Sequence, residues 1–205
     1  MKSIALIGST GSIGQKTLEI VRYRSELFRV AALAARKNVE LLIKQAEEFR
    51  PELVSIFDSE RAGELESALR RYKIKVVTGP EGLIHASTLK GVDQVIFSLV
   101  GARGLPPLFE AIRAGKDVAI ANKEPLVMAG ELLMREASKR KIKLLPIDSE
   151  HSGLWQCLEG RDPRSVNKLI LTSSGGPFRK RKGSLAGVTV KEALRHPKWK
   201  MGPKI

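Results

Sequence analysis

Short apolar runs alternate with segments of helical period along the first 147 residues, the pattern of a parallel α/β sheet. Ser3–Ile7 predicts a buried strand, and Ile13, Thr17, Ile20 and Val21 then fall on one helical face. Val30–Ala34 predicts a second strand. Asn38 predicts the N-cap of a helix that carries Leu41, Leu42 and Ala46 up to Pro51. Leu53–Phe57 predicts a third strand, Ser59 the cap of a charged helix running through Arg71, and Lys75–Val77 a fourth strand. Gln94–Val100 is the most apolar run and predicts a central strand. Pro106 and Pro107 suit the first turn of a helix stopped by Gly115. Asp117–Ala121 and Lys143–Ile147 predict two more strands, with a helix from Leu126 to Arg140 between them.

After Ile147 the pattern changes. A helix over Ser152–Leu158 is followed by a loop, a strand over Lys168–Thr172, the run Ser173-Ser174-Gly175-Gly176-Pro177 and a basic, turn-like stretch from Arg179 to Gly183. The expected organisation is a doubly wound, mostly parallel α/β domain over residues 1–147. Residues 148–205 are then expected to form the start of an α+β catalytic, metal-binding domain that is cut short.

Gly8-Ser9-Thr10-Gly11-Ser12-Ile13-Gly14 follows the first predicted strand and opens the first predicted helix. Glycine suits such a loop because the backbone must turn tightly, approach a pyrophosphate closely and pack helix against strand. Amides at the helix N-terminus then face the anion. The Gly-x-x-Gly-x-x-Gly spacing is one residue longer in its first gap than the usual dinucleotide fingerprint, and Ser9, Thr10 and Ser12 offer further hydroxyl donors. A tight strand–helix turn without a ligand is the plainer reading, but the position after a first strand favours a Rossmann-like dinucleotide domain. At the end of the second strand, Arg36 and Lys37 stand where NAD-specific folds carry an acid, 22 residues after Gly14. Two cations suit the 2′-phosphate of NADPH, where the plainer reading is a solvated basic turn.

Asp148-Ser149-Glu150-His151 closes the last predicted strand of the first domain. In extended chain Asp148 and Glu150 share a face, and two hard carboxylates suit Mg²⁺ or Mn²⁺ completed by water and substrate oxygens. The competing reading is an Asp-Ser helix start with Glu150 favouring the dipole. Asn122-Lys123-Glu124 presents a lysine toward the same crevice, or simply starts a helix. His85 reads as structural, Cys157 as a small buried hydrophobe, and His196 with Trp199 as a lid or ordinary packing.

The chain has 205 residues and a formal net charge of +14. Residues 1–150 hold 24 Lys and Arg against 19 Asp and Glu, and residues 151–205 hold 12 against 3, so the excess lies in the last quarter. That asymmetry asks for an anionic partner, which a sugar phosphate satisfies as well as nucleic acid. Aromatics are only 5%, and no zinc-finger spacing or RNP pattern accompanies the charge, so nucleic acid is not expected. One cysteine excludes an internal disulfide framework, no 18-residue apolar run suits a membrane span, and Ile4–Ile7 is too short for a signal core. A soluble cytoplasmic protein is the expectation.

Together, Gly8–Gly14, Arg36-Lys37-Asn38, Ala121-Asn122-Lys123-Glu124, Asp148–His151, Ser174-Gly175-Gly176-Pro177-Phe178-Arg179 and Arg195–Gly202 resemble the 1-deoxy-D-xylulose 5-phosphate reductoisomerases. Pro125 stands where that family carries a small hydroxyl residue. The resemblance implies NADPH held by Gly8–Ile13, Arg36, Lys37, Asn38, Asn122, Lys123, Glu124, Met201 and Gly202, and a divalent metal on Asp148 and Glu150. It implies that Lys123 orients the substrate, that Ser149 and Glu150 contact it, that Ser174 holds its phosphate, and that His196 and Trp199 sit on a closing lid. It further implies a homodimer for the full-length protein. The family continues beyond residue 205, through a third metal carboxylate and a C-terminal helical domain. The expectation is therefore a fragment with a formed cofactor site and little turnover. The rivals are an NADPH-binding module without activity, and another NADP-dependent reductase such as an aspartate-semialdehyde dehydrogenase. The second rival needs an activated thiol for which Cys157 has no supporting context.

Overall fold

The computed structural model describes residues 1–173 and 175–195. Seven parallel strands form one sheet: β1 (Lys2–Ile7), β2 (Phe28–Ala35), β3 (Leu53–Ile56), β4 (Lys75–Thr78), β5 (Gln94–Phe97), β6 (Asp117–Ile120) and β7 (Leu144–Pro146). Their order is β4-β3-β2-β1-β5-β6-β7, and every neighbouring pair runs parallel. The helices between them are α1 (Ser12–Tyr23), α2 (Val39–Phe49), α3 (Ala62–Leu69), α4 (Gly79–Thr88), α5 (Leu105–Arg113) and α6 (Glu124–Arg140). The chain winds outward from β1 to β4, then returns to β1's other side with β5. The β1/β5 junction is therefore the switch point, and open α/β sheets bind ligands outside the carboxyl ends of the strands there.

Strand alternation divides the core between the two faces. Ala5 and Ile7 of β1, Phe97 of β5 and Ile120 of β6 pack with Leu83, Leu108, Ile112 and Leu133 from α4, α5 and α6. Ile4 and Leu6 point the other way, toward Leu18 of α1, Leu42 of α2 and Leu65 of α3. Leu108 and Ile112 are fully buried, and each such side chain contributes roughly 1.5–3 kcal/mol.

The buried face of α1 is Gly14, Leu18 and Val21, one step round from the face the periodicity predicts. Leu18 takes the place against Ile4, Leu6 and Val30. Ile20 is 59% exposed and instead lines an apolar trough with Ile96, Ala119, Leu145 and Ile147, on the side of β5–β7 away from α4–α6. The charged helix expected from Ser59 to Arg71 is α3 flanked by 3₁₀ turns at Ser59–Arg61 and Arg70–Tyr72, and Ser59 does not cap it.

The chain divides into two compact units, Met1–Trp155 and Gln156 onward, with α7 (Ser149–Leu158) running across the division. In the second unit no strand forms over Lys168–Thr172, correcting that expectation. An apolar run becomes a strand only where another strand completes its ladder, and Leu169, Ile170 and Leu171 are 58%, 67% and 57% exposed. The unit does contain α8 (Val190–Ala193), started by a capping box in which Thr189 and Glu192 satisfy each other's amides. No helix among the described residues is long and apolar enough to cross a membrane.

Candidate functional site

At the end of β1 the chain turns through Gly8, whose φ of +100° and close approach to Ser98 (2.7 Å from a Cβ to the Ser98 carbonyl oxygen) leave no room for a side chain. A Cβ on Gly14 would run into the carbonyl oxygens of Gly8 and Ser9. The loop is anchored from both neighbouring strands. Gly8 and Ser9 amides donate to Ala34 O (2.8 and 2.9 Å), while the Ser98 hydroxyl donates to Ile7 O and Gly8 O (3.1 and 3.0 Å). Gln45 Nε2 of α2 holds Ser9 O at 3.0 Å. Helix α1 starts at Gly11 with no side-chain cap and no acid in its first turn, which leaves its amides for an anion. Thr10, Gly11, Ser12 and Ile13 reach the surface; Ser9 is fully buried, so its hydroxyl is not presented to the crevice.

Beside this loop lies a cavity of about 300 Å³ whose lining includes Gly8, Thr10, Ala35, Arg36, Ser98 and Arg103. No carboxylate lines it. Arg36 is exposed at its rim; Lys37 is exposed as well but does not line the cavity. Asn38 acts as the N-cap of α2, its Oδ1 accepting from the Leu41 amide at 3.1 Å. Among the lining groups that the sequence does not mark, three follow strand ends: Phe57 after β3, the Ser98–Val100 segment after β5, and Arg103. A signal existed in the rule that ligands meet strand carboxyl ends, since all three follow such ends.

Across the switch point, Asn122 is buried at the end of β6, its Nδ2 donating to Gly101 O at 3.2 Å and to Glu124 Oε2 at 2.5 Å. A Cβ on Gly104 would collide with Asn122 Oδ1, so glycine is required where this amide packs. Lys123 sits at the N-cap of α6 and sends Nζ to Asp148 Oδ2 at 2.6 Å. Pro125 fits the first turn of α6, where no amide is needed.

Asp148 lies just before α7, its backbone oxygen accepting from Ser152 N at 2.8 Å. Strand β7 ends at Pro146, so Asp148 and Glu150 do not share an extended face as the spacing implies. The helix that Ser149 begins sets their placement instead: Asp148 precedes it and Glu150 occupies its first turn. Burial pushes the Asp148 carboxyl up, but the Lys123 ammonium at 2.6 Å outweighs it and holds the group below the ordinary carboxylate range. Lys123 is raised in turn, chiefly by its hydrogen bond to Asp148 against the opposing effect of burial, with Glu150 and Glu124 adding attraction. His151 Nδ1 is 3.6 Å from Asp148 Oδ1.

The lysine shows that this carboxylate cluster accepts a cation. Two hard oxygen donors fit part of the coordination shell of a magnesium-like ion. No group of three or more His, Cys, Asp or Glu placed to hold a metal occurs among the described residues. Ser149 and Glu150 are exposed beside Asp148. Ser174, His196, Trp199, Met201 and Gly202 lie outside the described residues. His85 is exposed on α4, and Cys157 is exposed on α7, which buries none of its residues, so the buried-hydrophobe reading of this thiol is corrected.

Comparison with known proteins gives one consistent result. Residues 4–130 match the model of the 1-deoxy-D-xylulose 5-phosphate reductoisomerase family, and residues 144–205 match the model of its C-terminal domain. The enzyme of that name from Protochlamydia amoebophila is 48% identical over 206 residues, and the one from Symbiobacterium thermophilum 51% over 208; the alignments cover all of this chain and 53% and 54% of those relatives. The chain thus spans about half the length of the curated relatives it matches. A crystal structure of a DOX-P reductoisomerase with NADPH, fosmidomycin and magnesium superposes with a TM-score of 0.86 at 36% identity, covering 99% of this chain and 53% of the other. The Zymomonas mobilis enzyme in complex with NADPH gives a TM-score of 0.83 at 35% identity, over 88% of this chain and 48% of the other.

Proposed function

The chain belongs to the 1-deoxy-D-xylulose 5-phosphate reductoisomerase family, and on that premise we propose that it carries the family's NADPH site and two carboxylates of its metal site, Asp148 and Glu150. Residues 1–147 are the cofactor domain and residues 148–205 the beginning of the catalytic domain. The observation that carries this reading is the carboxylate-free crevice at the β1/β5 switch point, with an uncapped helix start on one side and Arg36 on the other. The reaction is the rearrangement of 1-deoxy-D-xylulose 5-phosphate and its reduction by NADPH to 2-C-methyl-D-erythritol 4-phosphate, in the cytoplasm and by a homodimer of the full-length protein.

Amides of Gly11–Ile13 receive the pyrophosphate, and Arg36 the 2′-phosphate, with Lys37 adding charge nearby. Asn122 braces the nicotinamide side of the crevice through Gly101 and Glu124. Asp148 and Glu150 would hold a divalent ion, whose contribution when bound is to polarise the substrate's ketone as a Lewis acid. Lys123, lying against Asp148, is placed to orient a substrate oxygen between metal site and nicotinamide, with Ser149 and Glu150 at its edge. Ser174 is assigned to the substrate phosphate, His196 and Trp199 to a cover that excludes water, and Met201 and Gly202 to the cofactor's nicotinamide end.

Fluorescence titration of the 205-residue chain with NADPH and with NADH tests the cofactor reading. NADPH is expected to bind at least tenfold more tightly, the size of effect one charge-assisted contact provides. Equal binding of the two, or none in a folded chain, overturns it.

A further inference from the structure

Arg103 is one of two guanidinium groups lining the crevice, and it reaches there from an unexpected side. It sits on the 3₁₀ turn Ala102–Gly104 that follows β5. Its guanidinium carbon nevertheless lies 5.0 Å from the centre of the Phe57 ring, which follows β3. In the sheet, β5 and β3 are separated by β1 and β2, so the side chain spans the mouth of the crevice to the flank where Arg36 stands. Most arginines of this domain are neutralised by carboxylates: Arg22 by Glu48, Arg29 by Glu52, Arg61 by Glu40 and Glu64. Among the described residues no ion pair of Arg36 or Arg103 is formed, in contrast to Arg22, Arg29 and Arg61, and the cavity they share has no acid in its lining. Two uncompensated guanidiniums around one cavity describe a site for a doubly charged anion.

We infer that Arg103 is a second specificity-determining contact for the 2′-phosphate of NADPH, closing over it from the β5 side while Arg36 holds it from β2. Phe57 serves as a shelf: its ring face fixes the guanidinium plane without offering an acceptor that would compete with phosphate. Gly101, with φ of +82°, and Gly104, against Asn122, set the turn from which Arg103 projects. The arrangement ties the 2′-phosphate flank to the nicotinamide flank, because Asn122 holds the same turn through Gly101 O.

This inference rests on the NADPH reading above, and the two fail differently. NADPH and NADH are titrated into the intact 205-residue chain and into Arg103→Ala, Arg103→Lys, Phe57→Leu and Arg24→Ala, each checked by its urea midpoint. Arg24 lies at the far end of α1 and controls for net charge. Arg103→Ala is expected to weaken NADPH about tenfold and leave NADH within about twofold, Arg103→Lys to recover part of the loss, and Arg24→Ala to change neither. Phe57→Leu is expected to show a smaller loss confined to NADPH. If Arg103→Ala weakens NADPH and NADH equally, or neither, Arg103 packs over the crevice without reading the phosphate and the inference falls while the cofactor reading stands. If the unaltered chain itself does not prefer NADPH, both fall.

Discussion

The ammonium of Lys123 lies 2.6 Å from Asp148 Oδ2, so the residue that precedes α6 is bound to the residue that precedes α7. The pair is partly exposed on its lysine side, and such pairs contribute between about 0 and 1 kcal/mol to folding. Its consequence lies in binding: at the proposed metal site, a divalent ion on Asp148 would take the oxygen that Lys123 holds. Asp148→Asn is therefore expected to cost less than about 1 kcal/mol in a urea titration. The same substitution should abolish Mn²⁺ binding read by electron paramagnetic resonance. Loss of metal affinity with no loss of stability is the signature expected; a large loss of stability would make Asp148 a structural residue.

Two glycines make opposite predictions from one substitution. Gly14→Ala drives a methyl into the carbonyl oxygens of Gly8 and Ser9, both backbone atoms that cannot swing aside. A destabilisation of about 1–3 kcal/mol is expected, with loss of NADPH binding because the same atoms shape the glycine loop proposed to receive the pyrophosphate. In α3, Gly63 would place its methyl where no atom lies within 4 Å. Gly63→Ala should stabilise the chain by about 0.5–1 kcal/mol with NADPH affinity unchanged. Urea midpoints and a cofactor titration on both variants check the pair together.

What the sequence reveals about this fold divides along the range of the interactions. β1, the glycine loop and the start of α1 are legible because period, glycine positions and helix start are local features. The stop of β5 is not: apolar residues continue to Val100, but the strand ends at Phe97 because Ser98 turns its hydroxyl back onto β1. Phe57 and Arg103 carry no local mark of a shared site, since only the strand order brings them together. Asp148 and Glu150 are legible as a pair, and of the two arrangements the sequence offers, the helix start at Ser149 rather than the extended face is the one that forms, because β7 ends at Pro146. Thr189 and Glu192 show the reverse case: the capping-box spacing is plain in the chain, yet the short α8 has no apolar period to announce it.

Acid sensitivity should follow the surface ion pairs. Glu48 is held below its ordinary value, chiefly by hydrogen bonds from Arg22, and Glu40 and Glu136 likewise by Arg61 and Arg140. A carboxyl depressed in the folded state contributes stability that is present above its unfolded pKa and is lost as pH falls through its folded one. The urea midpoint should accordingly be flat above about pH 5 and fall below about pH 4.5. Arg22→Ala should lessen that fall while lowering stability at neutral pH only slightly, because the pair is exposed. An unchanged acid limb in this variant would remove Arg22–Glu48 from the account.

Asn38 separates a capping role from a cofactor role. Its Oδ1 accepts from the Leu41 amide, so Asn38→Ala should lose about 1 kcal/mol through the start of α2. Asn38→Asp keeps an acceptor in the same place and adds a charge that the helix N-terminus favours, so the fold should be as stable as the original or slightly more so. The same charge would stand two residues from Arg36, beside the proposed 2′-phosphate position. At the surface, one added like charge at that range opposes the anion by about 1 kcal/mol, which is about fivefold in affinity at low salt. Asn38→Asp is therefore expected to fold normally, bind NADPH about fivefold less tightly and bind NADH unchanged, with the difference shrinking as salt is raised. Equal NADPH affinity in the Asp variant at low salt would move the 2′-phosphate away from the β2 end, and with it the role given to Arg36.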